Sequence, residues 1–257
     1  MHGKLRLSLL AALCLLGVSV IVASATAETA TVGNIKFTAD GGFSPKALPK
    51  KTFAPIALTA KGKIETKDGT HPPALKEVLL ETDKNGAIDV KGYPACTSGK
   101  LQSQTTANAE KACKGTLIGT GKTTVEIELA DQPPIDAKSK LLVVNGGVKG
   151  GVTTLFIHAY LTQPVPAAVV TTVKIKKINK GRYGTLSVAS IPVIASGAGS
   201  VTDFELTVDK KFTYKGKQKS VLTAKCPDGK LQANATAIFR DGTRVSQDFV
   251  RPCTGKG

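Results

Sequence analysis

The chain has 257 residues and carries 35 Lys and Arg against 19 Asp and Glu, a formal net charge of +16. Its 41% hydrophobic and 21% charged content is that of a globular protein and excludes a disordered or collagen-like chain. The length accommodates one large domain or two ordinary ones.

Residues 1–27 read as an export signal. Lys4 and Arg6 form a positive start, an apolar run follows from Leu7 to Ala23, and Ala25-Thr26-Ala27 supplies the small residues of a cleavage site. A retained N-terminal anchor is the alternative. Cys14 lies mid-run behind Leu13, where a lipoprotein signal would need a small residue, so it is expected to leave with the signal. Loss of Lys4 and Arg6 brings the formal charge to +14. The remaining cysteines, Cys96, Cys113, Cys226 and Cys253, are even in number, as expected of disulfides in an exported chain. Four cysteines allow three pairings, and nearest-neighbour pairing gives Cys96–Cys113 and Cys226–Cys253. Neither pair has metal-site spacing, and neither a metal nor a cofactor is expected.

Short runs rich in Val, Ile and Thr, separated by Gly, Pro, Asn and Asp, predict an all-β protein. The predicted strands are Val32–Thr38, Pro55–Ala60, Lys76–Thr82, Val125–Leu129, Lys140–Asn145 and Thr153–Leu161, then Val169–Ile178, Gly184–Val193, Asp203–Val208, Ser220–Lys225, Leu231–Arg240 and Val245–Val250. Turns are expected at Asn85-Gly86, Asn145-Gly146-Gly147, Asp228-Gly229 and Asp241-Gly242. Thr105–Lys114, rich in Ala with Glu and Lys and followed by Gly115, predicts one short helix. Gln163-Pro164-Val165-Pro166 is the best linker, because prolines interrupt sheet pairing. The expected architecture is two β-sandwich domains in tandem, immunoglobulin-like or related, over residues 28–162 and 163–257. One continuous larger sandwich is the alternative. Cys96-Thr-Ser-Gly-Lys-Leu-Gln102 echoes Cys226-Pro-Asp-Gly-Lys-Leu-Gln232, which raises the possibility of duplication.

Three motifs invite chemistry. Glu81–Gly92 has oxygen-bearing residues at alternate positions like a calcium loop, but position twelve is Gly92 where a bidentate carboxylate is required, so an Asn-Gly turn is the simpler reading. Gly119-Thr-Gly-Lys-Thr-Thr124 resembles a phosphate loop out of register, with a strand following where a helix is needed, so a glycine-containing hairpin is expected. His71 and His158 adjoin no nucleophile motif, although a triad can assemble from distant residues, and Asp89, Glu126 and Glu128 could serve a paired-carboxylate hydrolase. Sugar-handling sites commonly stack the ring on aromatics, and this chain has no Trp. The balance favours a protein that is not an enzyme.

Charge divides unevenly. Residues 28–162 hold 17 Lys and 13 acids, whereas residues 163–257 hold 12 Lys and 4 Arg against 6 acids. The excess lies at Lys174, Lys176, Lys177, Lys180, Arg182, Lys210, Lys211, Lys215, Lys217 and Lys219. These are the candidate contacts for a polyanion, either an anionic envelope polymer or a membrane surface. Sequence-specific nucleic-acid binding is not expected, because it relies on Arg and stacking aromatics. A Lys-rich coat that only confers solubility is the competing reading.

The run Pro72-Pro-Ala-Leu-Lys-Glu-Val78, then Asp83-Lys-Asn-Gly-Ala-Ile-Asp89, Gly92-Tyr-Pro94 and Cys96 resembles a group of uncharacterised secreted bacterial proteins. So do Tyr214-Lys-Gly-Lys217, Cys226 and Arg251-Pro-Cys253. The resemblance implies an exported, disulfide-bonded β protein and brings no activity. The expected function is therefore envelope binding or support through the basic C-terminal half, with an envelope-polymer hydrolase and a calcium-stabilised adhesion module as alternatives.

Overall fold

A computed structural model describes residues 27–257, so the expected export signal falls almost wholly outside the described residues. The protein is all-β. In chain order the strands are β1 Glu28–Val32, β2 Ile35–Ser44, β3 Ala47–Pro49, β4 Ala54–Pro55, β5 Ala57–Thr66, β6 Leu75–Asp83 and β7 Gly86–Ile88. After helix α1, Thr106–Ala112, come β8 Leu117–Ile127, β9 Ile135–Lys149, β10 Val152–Leu161, β11 Ala167–Lys180, β12 Tyr183–Ser190 and β13 Gly199–Val208. The chain ends with β14 Lys211–Tyr214, β15 Lys217–Ser220, β16 Leu222–Ala224, β17 Lys230–Phe239, β18 Arg244–Pro252 and β19 Thr254–Lys256.

Twelve of these form one antiparallel sheet in the order β1-β2-β5-β13-β8-β9-β10-β11-β12-β6-β17-β18. Its two edges approach each other, and Arg251 on β18 bridges them. The guanidinium donates to both carboxylate oxygens of Glu28 on β1 (2.6 and 2.8 Å), to Asp40 on β2 (3.1 Å) and to the Gly41 carbonyl. The sheet is therefore nearly closed.

This order corrects the expected pair of tandem sandwiches. Strand β13, from the second half of the chain, lies between β5 and β8, and β6, from the first half, lies between β12 and β17. Strands from both sides of residue 163 interleave in one sheet. The expected linker at Gln163–Pro166 is the tight connection between antiparallel neighbours β10 and β11. Its prolines occupy a hairpin end, where no ladder hydrogen bond is required of them.

Alternation along the strands makes the core. Phe37 and Ile64, from β2 and β5, meet Ala237 and Phe239 of β17 and Val245 of β18 across the interior. Val173 and Ile175 of β11 pack with Val143, Leu155 and Val208 in a second cluster. A Phe buried in this way stabilises the fold by about 2–3 kcal/mol.

Local differences from the sequence expectations have identifiable causes. Val32–Thr38 is interrupted at Gly33-Asn34, where Gly33 takes φ +57° and turns β1 into β2. The expected turn at Asn145–Gly147 is a register shift within β9, and the chain reverses at Gly150-Gly151 instead. Gly119–Thr124 is not a hairpin but a continuous part of β8. A side chain at Gly119 would collide with the Thr207 carbonyl of β13, and one at Gly121 with that of Glu205.

The helix forms where expected. Thr105 caps it, its hydroxyl accepting from the Asn108 amide at 3.3 Å, and Gly115 adopts φ +83° just beyond it. It covers the outer face of β9 and β10, burying Leu101 and Ala109 against Leu142, Val144 and Phe156. The two cysteine pairs are bonded as expected, with Cα–Cα distances of 5.6 Å for Cys96–Cys113 and 6.1 Å for Cys226–Cys253. The duplicated-looking segments diverge after their cysteines, the first entering α1 and the second entering β17.

Candidate functional sites at the two ends of the sheet

A nearly closed antiparallel sheet has two ends, and the registers assign each connection to one of them. Thr207 pairs with Thr120, Leu117 with Val144, Thr153 with Ile175 and Tyr183 with Asp83, which sets the ends of these strands at one rim. Segments 45–55, 84–97, 149–151, 177–182, 209–229 and 253–257 belong to this rim. Together they contain 16 Lys and Arg against 3 Asp. The connections at the opposite rim are 33–34, 67–74, 128–134, 162–166, 191–198 and 240–243. They contain 2 basic residues against 4 acidic ones. The charge asymmetry seen along the sequence is an axial polarity of one body.

The basic rim is built around the β14–β15 hairpin. Tyr214 lies over Gly92, where any Cβ would overlap its ring, and Phe212 packs on Tyr93 at 5.0 Å between ring centroids. Lys219 pairs with Asp89 at 2.7 Å, and the Tyr93 hydroxyl donates to the Leu117 carbonyl at 2.8 Å. Val90, Val208 and Val221 beneath the hairpin join the interior cluster, so this end of the sheet is plugged. The Cys226–Cys253 bridge and the parallel pair β3–β19 hold the neighbouring segments.

Of the ten candidate contacts, Lys177, Lys210, Lys211, Lys215 and Lys217 are exposed at this rim. Lys174 and Lys176 project from the exposed face of β11, along the wall. The other three are engaged internally: Lys180 with Glu81 at 2.9 Å, Lys219 with Asp89, and Arg182 with Asp83 at 2.8 Å and Asp228. Arg182 also donates to the Lys230 carbonyl, fixing the β11–β12 turn to β17. The charge-assisted bonds to Asp228 hold that carboxyl below the usual carboxylate range. Division by sequence half missed Lys46, Lys50, Lys51, Lys84, Lys91 and Lys149, which join this rim from the first half of the chain. Lys46 stacks over Phe43 at 4.1 Å, and burial, with Arg251 nearby, pushes its pKa down. Lys225 lies 5.3 Å from the ring of the exposed Phe53.

The calcium-like segment is occupied by internal contacts. Asp83 is 3% exposed and accepts from the Asn85 amide (2.9 Å), the Gln232 amide (3.0 Å) and Arg182. Asp89 is taken by Lys219 and the Lys91 amide. Glu126 and Glu128, the other carboxylates weighed for hydrolysis, lie near the opposite rim.

At that opposite rim three side chains meet. Ser200 on β13 and Glu126 on β8 are cross-strand partners, and His71 reaches over them from the β5–β6 connection. His71 Nδ1 is 2.7 Å from Glu126 Oε1, and its Nε2 is 3.1 Å from Ser200 Oγ. Ser200 also donates to the Pro72 carbonyl at 2.6 Å and is 1% exposed. Beside them lies a cleft of about 470 Å³ lined by Asn34, Thr70, His71, Pro72, Gly197 and Thr243. His71 and Glu126 stood out in the sequence, but Ser200 did not, because nothing local marks a serine in a strand.

Compared with known proteins, the chain matches no family model, no curated protein and no solved structure. Its two disulfides suggest an extracytoplasmic environment.

Proposed function

We propose that this is an exported envelope protein that binds an anionic polymer through its lysine-rich rim. The observation that carries the reading is the segregation of 16 basic against 3 acidic residues in the connections of one end. Mutual repulsion among so many like charges costs stability, so a solubility coat would be expected to disperse them. Lysines rather than arginines fill the exposed positions. Arg182 and Arg251 are spent on bidentate internal pairs, leaving compact, mobile charges that suit a flexible polyanion.

A polymer fits better than a bilayer. Exposed large apolar side chains divide evenly between the ends, with Phe53, Val148 and Val250 toward the basic rim and Val32, Val165 and Val193 toward the other. The basic end therefore carries no special apolar anchor.

The test is binding to poly(glycerol phosphate) and, separately, to phosphatidylglycerol vesicles across a salt series. Affinity for the polymer should fall steeply with salt, and K210Q/K211Q/K215Q/K217Q should lower it at least tenfold at low salt. Neutralising Lys67, Lys76 and Lys138, which lie away from this rim, should leave it within twofold. Equal losses from both variants, or binding to vesicles only, would overturn the proposal.

A further inference from the structure

The opposite rim carries an arrangement that polyanion binding does not use. We propose that Ser200, His71 and Glu126 form an acyl-transfer centre that cleaves small carboxylic esters. The order of contacts is that of a nucleophile, a base and an orienting carboxylate: Ser200 Oγ to His71 Nε2 at 3.1 Å, and His71 Nδ1 to Glu126 Oε1 at 2.7 Å. The fold holds each member. Ser200 and Glu126 are fixed by the β13–β8 ladder, and His71 is held by Pro72-Pro73 and the cap Thr66–Thr70, where the Thr70 amide and hydroxyl bond Asp68 at 3.1 and 2.7 Å.

The Ser200 hydroxyl has two acceptors within reach. At rest its proton points to the Pro72 carbonyl, and rotation about Cβ–Oγ turns it to His71 Nε2. Acylation then forms the bond from Oγ to the ester carbonyl carbon. The serine proton passes through His71 to the departing alkoxide, which leaves as the alcohol. Water attacks the acyl-serine, its proton passes through His71 back to Oγ, and the carboxylic acid is released. His71, Pro72 and Gly197 line the adjoining cleft of about 470 Å³, which suits a small acyl group and its alcohol. Ser200 lies behind His71 and Pro72, so a substrate reaches Oγ only as the Pro72 carbonyl moves off the hydroxyl, while the Glu126 contact and the Thr66–Thr70 cap keep His71 in place. In this scheme Ser200 and His71 are catalytic, whereas Glu126 is a positioning residue.

The experiment treats the folded chain with a fluorophosphonate and maps the adduct by peptide mass, alongside p-nitrophenyl acetate hydrolysis. Labelling at Ser200 is expected, abolished in S200A and lowered at least tenfold in H71Q. E126Q should lower it as well, and E126D should restore part of the loss. Melting curves of each variant separate lost chemistry from lost fold, and the wild-type adduct is informative without any variant. A folded wild-type protein that takes no label at Ser200 overturns the proposal. So does labelling that H71Q leaves unchanged. Polymer binding at the basic rim is read separately, so either proposal can fail without the other.

Discussion

Arg251 shows how one side chain can complete a fold. Its side chain is 8% exposed, and the guanidinium joins β18 to Glu28, Asp40 and Gly41 across the seam. Arg251→Met would remove the bridge and leave two carboxylates facing each other without a cation. A loss of about 2 kcal/mol is expected, below the range for fully buried pairs because Glu28 and Asp40 keep some water. The urea midpoint measures it. His158 gives a pH signature. It is fully buried beneath α1, Nε2 lies 3.0 Å from the Gln104 carbonyl, Nδ1 has no partner, and burial pushes its pKa down. The unfolded chain then binds a proton more readily than the folded one. The contribution of His158 to stability is intact above about pH 6.5 and is lost as pH falls below it. Thermal melts of His158→Gln against the parent should show a shallower decline on the acid side.

Among the elements, the first part of β8 read from sequence as a hairpin, and the reason is physical. Gly119 and Gly121 lower strand propensity and suggest a turn, yet they are needed where β8 approaches the carbonyls of β13. Gly121→Ala should destabilise by 3 kcal/mol or about that, because the obstruction is backbone and cannot swing aside. Gly99→Ala, where a Cβ meets open space, should be nearly silent. The same differential scanning experiment compares both. The short segments of the basic rim depend on covalent support: reducing Cys226–Cys253, which closes a sequence separation of 27, should cost about 3 kcal/mol. Helix α1 was legible in advance, because its Ala-rich body, Thr105 cap and Gly115 stop are local signals.

At the scale of the whole molecule, charge and shape must be taken together. A body with one strongly basic rim repels itself at low ionic strength, and salt screens that repulsion over about 10 Å at 0.1 M. The melting temperature should rise by a few degrees between 10 and 200 mM NaCl, whereas polymer binding should weaken over the same range. A protein whose lysines only confer solubility would show neither the steep loss of binding nor the dependence on Lys210–Lys217. If both ends act, the basic rim would hold an anionic polymer while the centre at Ser200 faces away from it.

The sequence by itself determined the all-β class, most strand positions and the helix, and it favoured the cysteine pairing that the structure shows. These rest on local chemistry: alternation, capping, turn residues and short loop closures. It could not determine which strands are neighbours. The pairing of β13 with β5 and β8 joins residues more than seventy positions apart, and the hydrogen bonds that select it are the same for any strand of suitable pattern. Only the tertiary structure therefore decided that strands from both halves share one twelve-stranded sheet and do not form two sandwiches. It also turned a charge difference between halves of a chain into a difference between ends of a body. And it alone brought Ser200, His71 and Glu126 together, because proximity across a sheet leaves no trace in the order of residues.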